Sequence, residues 1–188
     1  MAYNPCLLIM NPRILTEALE SIEKCVDIPV TYFRAFTEPG VLQAINEYII
    51  QSNYTHYIVC ADDTIVTEQA VSCVLDHVED EKYDVFTAWM NMHFEKDGTF
   101  SRESTVCFNQ LMPIAQPDWG PTREEYPPWV TIETMNAQVK KPLRTAYANF
   151  ALTGMKKEMW LKYPVKTHPC GRASDHQLSW RLQSDGIE

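Results

Sequence analysis

The sequence predicts an α/β protein with a mainly parallel central sheet, and three observations carry that expectation. Residues 6–10 (CLLIM) and 57–60 (YIVC) are apolar runs without alternation, as expected of strands buried on both faces. Amphipathic stretches at helical spacing come after these runs. Strand and helix then alternate three times with short connections, the order that builds a parallel sheet with crossover helices.

Taken in order, residues 6–10 form the first strand. Asn11 and Pro12 supply a helix cap and a proline for the first helical position. Leu15, Ala18, Leu19 and Ile22 recur on one helical face, with Glu17, Glu20, Glu23 and Lys24 opposite. Residues 28–33, rich in β-branched and aromatic side chains, predict the second strand. Thr37-Glu38-Pro39-Gly40 opens the next helix, whose apolar face is Leu42, Ile45, Tyr48 and Ile49. The third strand runs into Asp62 and Asp63; a turn over 64–67 leads to a helical stripe of Val71, Val74, Leu75 and Val78. Residues 84–90 (DVFTAWM) make the fourth strand.

The alternation then stops. Asp97-Gly98 lies between two extended segments, a strong hairpin signal. Residues 110–144 carry repeated prolines among Trp119, Tyr126 and Trp129, a long loop of the kind that is usually functional or disordered. Its aromatic content argues against plain disorder. Residues 146–153 (AYANFALT) predict another strand, followed by Gly154, a short helix over 156–162 and a loop over 164–172. Ser174 with Gln177 fits a capping box; Leu178 and Leu182 share a face, and Gly186 ends the last helix. No repeat or linker divides the chain, so residues 1–188 are expected to form a single domain, with the long loop at about 110–145.

Composition narrows the function classes. Apolar residues at 45% and charged residues at 22% suit a soluble domain. No run approaches ~18 consecutive apolar residues, so no transmembrane segment is expected. The opening MAYNPCLLIMNPR lacks the pattern of a secretory leader, which points to a cytoplasmic protein. A net charge of −9 argues against a broad nucleic-acid footprint, while leaving room for a phosphate-bearing small molecule held through a metal. Six cysteines without CxxC spacing disfavour zinc and a disulfide framework.

Asp62 and Asp63 close an apolar strand, and ligands of open α/β sheets bind outside the carboxyl ends of strands. Two acids there are either a divalent-metal site or a solvated strand end whose carboxylates bond the turn backbone. Asp175 falls in the first turn of the last helix, where the helix terminus favours a carboxylate.

Together these segments resemble a glycosyltransferase of the GT-A fold, of the inverting family 2 type. IMNPRILTEALESI (9–22) is similar to the opening strand–Asn–helix segment, where the loop borders the nucleotide. YIVCADDTIVTEQAV (57–71) resembles the strand carrying the DxD motif. SDHQLSWRLQSDGI (174–187) looks like the segment whose aspartate is the catalytic base. The resemblance implies a single-domain, Rossmann-like αβα sandwich of the nucleotide-diphospho-sugar transferase type. It implies a hexosyltransferase-like enzyme moving a sugar from a nucleotide-diphosphate donor, UDP-sugar first, to a glycan, protein or lipid-linked hydroxyl acceptor. On this reading Asp63, with Asp62, binds Mn²⁺ or Mg²⁺; Asn11, Asp62 and Asp63 contact the nucleotide sugar; Asp175 is the general base.

Two positions depart from the family pattern: Ala61 stands where the first motif acid is expected, and Ser174 where an acid precedes the base. They favour an alternative, a non-catalytic binding module of the same fold. A sugar-phosphate nucleotidyltransferase ranks lower, because Asn11-Pro12-Arg13 offers no Gly-rich loop. His168 and His176 could complete a metal shell or serve only as surface histidines. Trp119, Tyr126 and Trp129 could stack on a sugar or pin the long loop. Arg172 and Arg181 could meet phosphate, although Arg181 reads better as a structural ion-pair partner.

Overall fold

The computed structural model describes residues 2–10, 15–34, 37–80, 82–88, 95–96, 99–100, 142, 148–167 and 174–187. Strands and helices alternate through β1 (Pro5–Met10), α1 (Thr16–Cys25), β2 (Val30–Phe33), α2 (Glu38–Gln51), β3 (His56–Ala61), α3 (Glu68–Glu79) and β4 (Val85–Thr87). A small hairpin of β5 (Glu95–Lys96) and β6 (Thr99–Phe100) comes next. The described chain closes with β7 (Thr153–Lys156), α4 (Lys157–Lys162) and α5 (Ser174–Ser184).

The main sheet has five strands in the order β2-β1-β3-β7-β4. Strand β1 pairs in parallel with both β2 and β3. Strand β7 runs antiparallel to both β3 and β4, so it is the one reversed member of this sheet. The expectation of a mainly parallel α/β sheet is met.

Side-chain alternation builds two cores from the same strands. Cys6, Leu8, Tyr57 and Val59 enter one core with Leu42, Ile45 and Ile49 of α2, Trp160 of α4, and Leu178 and Leu182 of α5. Leu7, Ile9, Ile58 and Cys60 enter the other with Ile22 of α1 and Val71, Val74 and Val78 of α3. The helices therefore cover both faces, which explains why the central strands read as unbroken apolar runs. The buried Trp160 indole satisfies its N–H by donating to the Tyr57 carbonyl at 2.9 Å.

Three local expectations are corrected. Helix α1 starts at Thr16 with Leu15 at its cap and no capping side chain, so it is not opened by Asn11 and Pro12. Leu15 is 42% exposed, and the stripe that holds the helix to the sheet begins at Ala18. The late strand covers Thr153–Lys156 rather than 146–153. Asn149 folds the chain before it into a turn: its side-chain oxygen accepts from the Ala151 N–H at 2.9 Å. Third, Ser174 is the first residue of α5 rather than its cap, and its hydroxyl bonds to Glu38 instead of completing a box with Gln177.

At the far end of α5 the expectation holds. Gly186 adopts φ 70°; its N–H donates to the Gln183 carbonyl at 3.0 Å, and that of Ile187 to the Leu182 carbonyl at 3.0 Å. This pair of bonds is a Schellman motif. The long loop at 110–145 lies outside the described residues, apart from Pro142. Among the described residues, no helix is long and apolar enough to cross a membrane.

Candidate functional site at the carboxyl edge of the sheet

Because β1, β2 and β3 are parallel, their carboxyl ends meet at one edge. Met10 lies opposite Phe33 on one side and Ala61 on the other. The chain leaves β3 there in a tight turn, with the Thr64 N–H donating to the Ala61 carbonyl at 3.3 Å. Asp62 and Asp63 are the central residues of that turn. Asp62 is 1% exposed and turned inward, which removes the reading of it as a solvated strand end. Asp63 is exposed.

Neighbouring elements fix the turn. The Val66 N–H donates to Ser21 Oγ of α1 at 3.1 Å, and Thr67 Oγ1 caps α3 by accepting from the Ala70 N–H at 3.2 Å. The local field is negative. Burial, together with the nearby Asp63 and Asp62 carboxylates, pushes the Cys60 thiol up to about 12, against a lowering hydrogen bond from Thr64.

The segment leading into β7 borders the same edge. The Ala61 N–H donates to the Phe150 carbonyl at 2.7 Å, and the Ala88 N–H to the Leu152 carbonyl at 2.9 Å. Asn149, fully buried, donates from Nδ2 to the Ala88 carbonyl at 3.3 Å. One residue earlier, the Ala148 N–H donates to Ser179 Oγ of α5 at 3.0 Å. That hydroxyl donates in turn to the Asp175 carbonyl at 2.7 Å. A short relay thus joins the strand end that carries Asp62 to the helical turn that carries Asp175. A second tie runs from Ser174 Oγ to Glu38 Oε1 at 2.8 Å. Glu38 opens α2 just after β2, on the same edge.

Asp62 and Asp63 thus lie in the turn that ends β3, and Asp175 lies in the first turn of α5, which Ser179 ties to Ala148 and Ser174 ties to Glu38. Asp175 Oδ1 accepts from the His176 N–H at 2.9 Å, and His176 is half-buried in the same turn. Asn11 lies outside the described residues, although Met10 before it is paired with Ala61. His168, Arg172, Trp119, Tyr126 and Trp129 also lie outside them. Arg181 is structural, but not through the expected ion pair. Its guanidinium donates to the Pro164 and Lys162 carbonyls at 2.8 and 3.2 Å and lies over the Tyr163 ring.

No family model matches this chain. No curated protein matches it either. Among solved structures, the crystal structure of A197 from STIV is similar at 13% identity, covering 94% of this chain and 75% of that one, with a TM-score of 0.48. A likeness this slight bears on neither the details of the fold nor an activity.

Among the described residues, no group of three or more His, Cys, Asp and Glu side chains is placed to hold a metal. The donor set at the rim is the pair of adjacent carboxylates, Asp62 and Asp63. Hard oxygen donors in that number suit Mg²⁺ or Mn²⁺, which is commonly bound through one or two carboxylates plus phosphates and water. They do not suit structural zinc, which takes a closed set of four ligands, chiefly Cys and His.

Sequence reasoning missed Glu38, Ser179 and Asn149. Glu38 carried a usable signal, because the first residue of a helix that follows a parallel strand must lie at the carboxyl edge. Ser179 sits four residues after Asp175, the spacing at which a hydroxyl back-bonds to a helical carbonyl. Asn149 carried none, since a polar residue inside an apolar run reads equally as strand or turn.

Proposed function

We propose that the carboxyl edge of this sheet is the site of a metal-dependent glycosyltransferase of the GT-A type, transferring a sugar from a nucleotide-diphosphate donor, UDP-sugar first, to a hydroxyl acceptor. What supports the proposal is the hydrogen-bonded path from Ala61, where the Asp62–Asp63 turn begins, through Phe150 and Ala148 to Ser179, which also bonds the Asp175 carbonyl in the first turn of α5. The αβα layering and the mainly parallel sheet support the same reading.

In this proposal Asp63, exposed on the turn, and Asp62, buried behind it, hold the cation. When bound, Mn²⁺ or Mg²⁺ supplies positive charge against the diphosphate of the donor. Asp175 accepts the proton of the acceptor hydroxyl, which implies inversion at the anomeric carbon. The His176 N–H holds one oxygen of that carboxylate and so fixes its orientation. Asn11, next after Met10, borders the nucleotide. Cysteines 6, 25, 60 and 73 are free thiols, which supports placing the chain in a reducing, cytoplasmic compartment.

A second reading, a binding module without turnover, is favoured by Ser174. The position at which the family pattern has an acid is buried and bonded to Glu38. Incubation with Mn²⁺ and a panel of sugar nucleotides and acceptors, followed by assay of free nucleotide, separates the two. Metal-dependent release that Asp63→Asn abolishes supports the transferase. Saturable donor binding without release across the panel supports the module and sinks the transferase.

A further inference from the structure

The first turn of α5 is held from two directions. On one side, Ser179 Oγ accepts from the Ala148 N–H at 3.0 Å and donates to the Asp175 carbonyl at 2.7 Å. Ser179 is 2% exposed, so these bonds are made away from water, where a missing partner costs most. On the other side, Ser174 Oγ donates to Glu38 Oε1 at 2.8 Å, across 136 positions of sequence. Ser174 is 3% exposed, whereas Glu38 is exposed on the first turn of α2. A hydroxyl donating to a carboxylate is a strong class of hydrogen bond. Asp175 sits between the two anchored serines.

The body of α2 is tied to the same region further down. Asn46 donates from Nδ2 to the Val165 carbonyl at 2.7 Å and accepts from the Val165 N–H at 3.1 Å. Arg181 binds the adjacent Pro164 carbonyl. The base of α5 is therefore fixed to α2 independently of Glu38, and the Glu38–Ser174 bond governs only the end of α5 that carries Asp175.

We infer that Glu38 is a positioning residue, which holds the first turn of α5 through Ser174 and thereby sets the Asp175 carboxylate in place. The inference rests on the proposed transferase site for its consequence in turnover, but not for the latch itself. Glu38 acts here as a hydrogen-bond acceptor whose charge strengthens the bond. Glutamine keeps an oxygen at the same place and should replace it in part; alanine should not.

The test uses the full chain in four forms: Glu38→Gln, Glu38→Ala, Ser174→Ala and the double variant Glu38→Ala/Ser174→Ala. Amide hydrogen exchange at Leu178 and Ser179 reports opening of the first turn, since those N–H groups bond to the carbonyls four residues earlier. Glu38→Ala and Ser174→Ala are each expected to speed exchange there about tenfold, and the double variant no more than either alone. Glu38→Gln should fall between wild type and Glu38→Ala, because a neutral oxygen keeps the bond but weakens it.

In the donor-release assay, kcat should fall about tenfold in both alanine variants with donor KM unchanged, and Glu38→Gln should retain part of what they lose. Unchanged exchange in the alanine variants, additive effects in the double variant, or a Glu38→Gln as impaired as Glu38→Ala overturns the inference. So does a loosened first turn that leaves kcat untouched. If wild type itself releases no nucleotide, the transferase reading fails and the exchange data alone decide whether the latch exists.

Discussion

Val78 of α3 fills the space that a side chain at position 154 would need: a Cβ built on Gly154 falls 2.5 Å from Val78 Cγ2 and 3.2 Å from Ile58 Cγ1. Strand β7 accepts α3 at this distance only because it has glycine there. Gly154→Ala is expected to cost about 1–3 kcal/mol by overpacking, read as a lower urea midpoint at unchanged slope. Gly186→Ala makes a contrast. Its Cβ meets nothing within 4 Å, but φ is +70°, so the cost is about 1 kcal/mol and arises from the backbone alone. Equal stability of Gly154→Ala and wild type would contradict the close packing of α3.

Helix α2 has no basic residue in its own last turn. Lys157, the first residue of α4, supplies one, its Nζ donating to the Ser52 and Ile50 carbonyls. Lys157→Met keeps the apolar stem and removes the charge, with an expected loss of about 0.5–1 kcal/mol in thermal unfolding. High salt should narrow the difference between the two proteins.

Asn149 satisfies the Ala151 N–H and the Ala88 carbonyl with one fully buried amide. Asn149→Ala leaves both without that partner, and a cost of at least about 2 kcal/mol is expected from buried unsatisfied groups. On the proposed function donor binding should weaken with it, because the same turn presents the Phe150 carbonyl to Ala61 beside Asp62. Calorimetry on the variant checks both effects. A loss of stability without any change in donor binding would show that the turn does not shape the rim.

Two groups make the fold sensitive to alkali. Burial, with the charges of Glu79 and Asp76, raises Tyr3 to about 12. Burial, with the charge of Asp63, raises Cys60 to about 12. The unfolded chain releases these protons first, from roughly pH 8.5 for the thiol and pH 10 for the phenol. In that window it binds fewer protons than the folded chain, so stability falls as pH rises toward 12. Tyr3→Phe should flatten the decline in melting temperature above about pH 10, at the cost of the Tyr3 hydroxyl bond to the Leu75 carbonyl. The same burial shields the thiol: iodoacetamide on the folded protein should modify exposed Cys73 well before Cys60.

Much of the scaffold could be read from the chain because burial on both faces leaves a strong signature. The apolar runs at 6–10 and 57–60 fall within β1 and β3, and the stripes of α2 and α3 face the cores as expected. Thr37 and Thr67 cap their helices as short polar residues should. Position 149 defeated the same reasoning. Ala148, Phe150, Ala151 and Leu152 are buried as strand residues would be, but a single asparagine turns the chain and moves the strand onto Thr153–Lys156.

The acids were legible as a pair at a strand end, and their unequal exposure was not. Inward or outward orientation within a two-residue turn depends on what packs beside it. The partner of Ser174 was illegible for a similar reason. A carboxylate from another helix takes its hydroxyl, and local spacing carries no record of distant neighbours.

The interposed strand has a consequence for how the molecule is made. Since β7 separates β3 from β4, the sheet cannot be finished until a segment far downstream arrives, and Thr87 waits for Thr153 across 66 positions. Such non-local closure slows folding and leaves a bare edge during synthesis. Cleavage of the backbone between those strands would yield two complementary pieces, each lacking what the other brings, that regain the native sheet only by finding one another again.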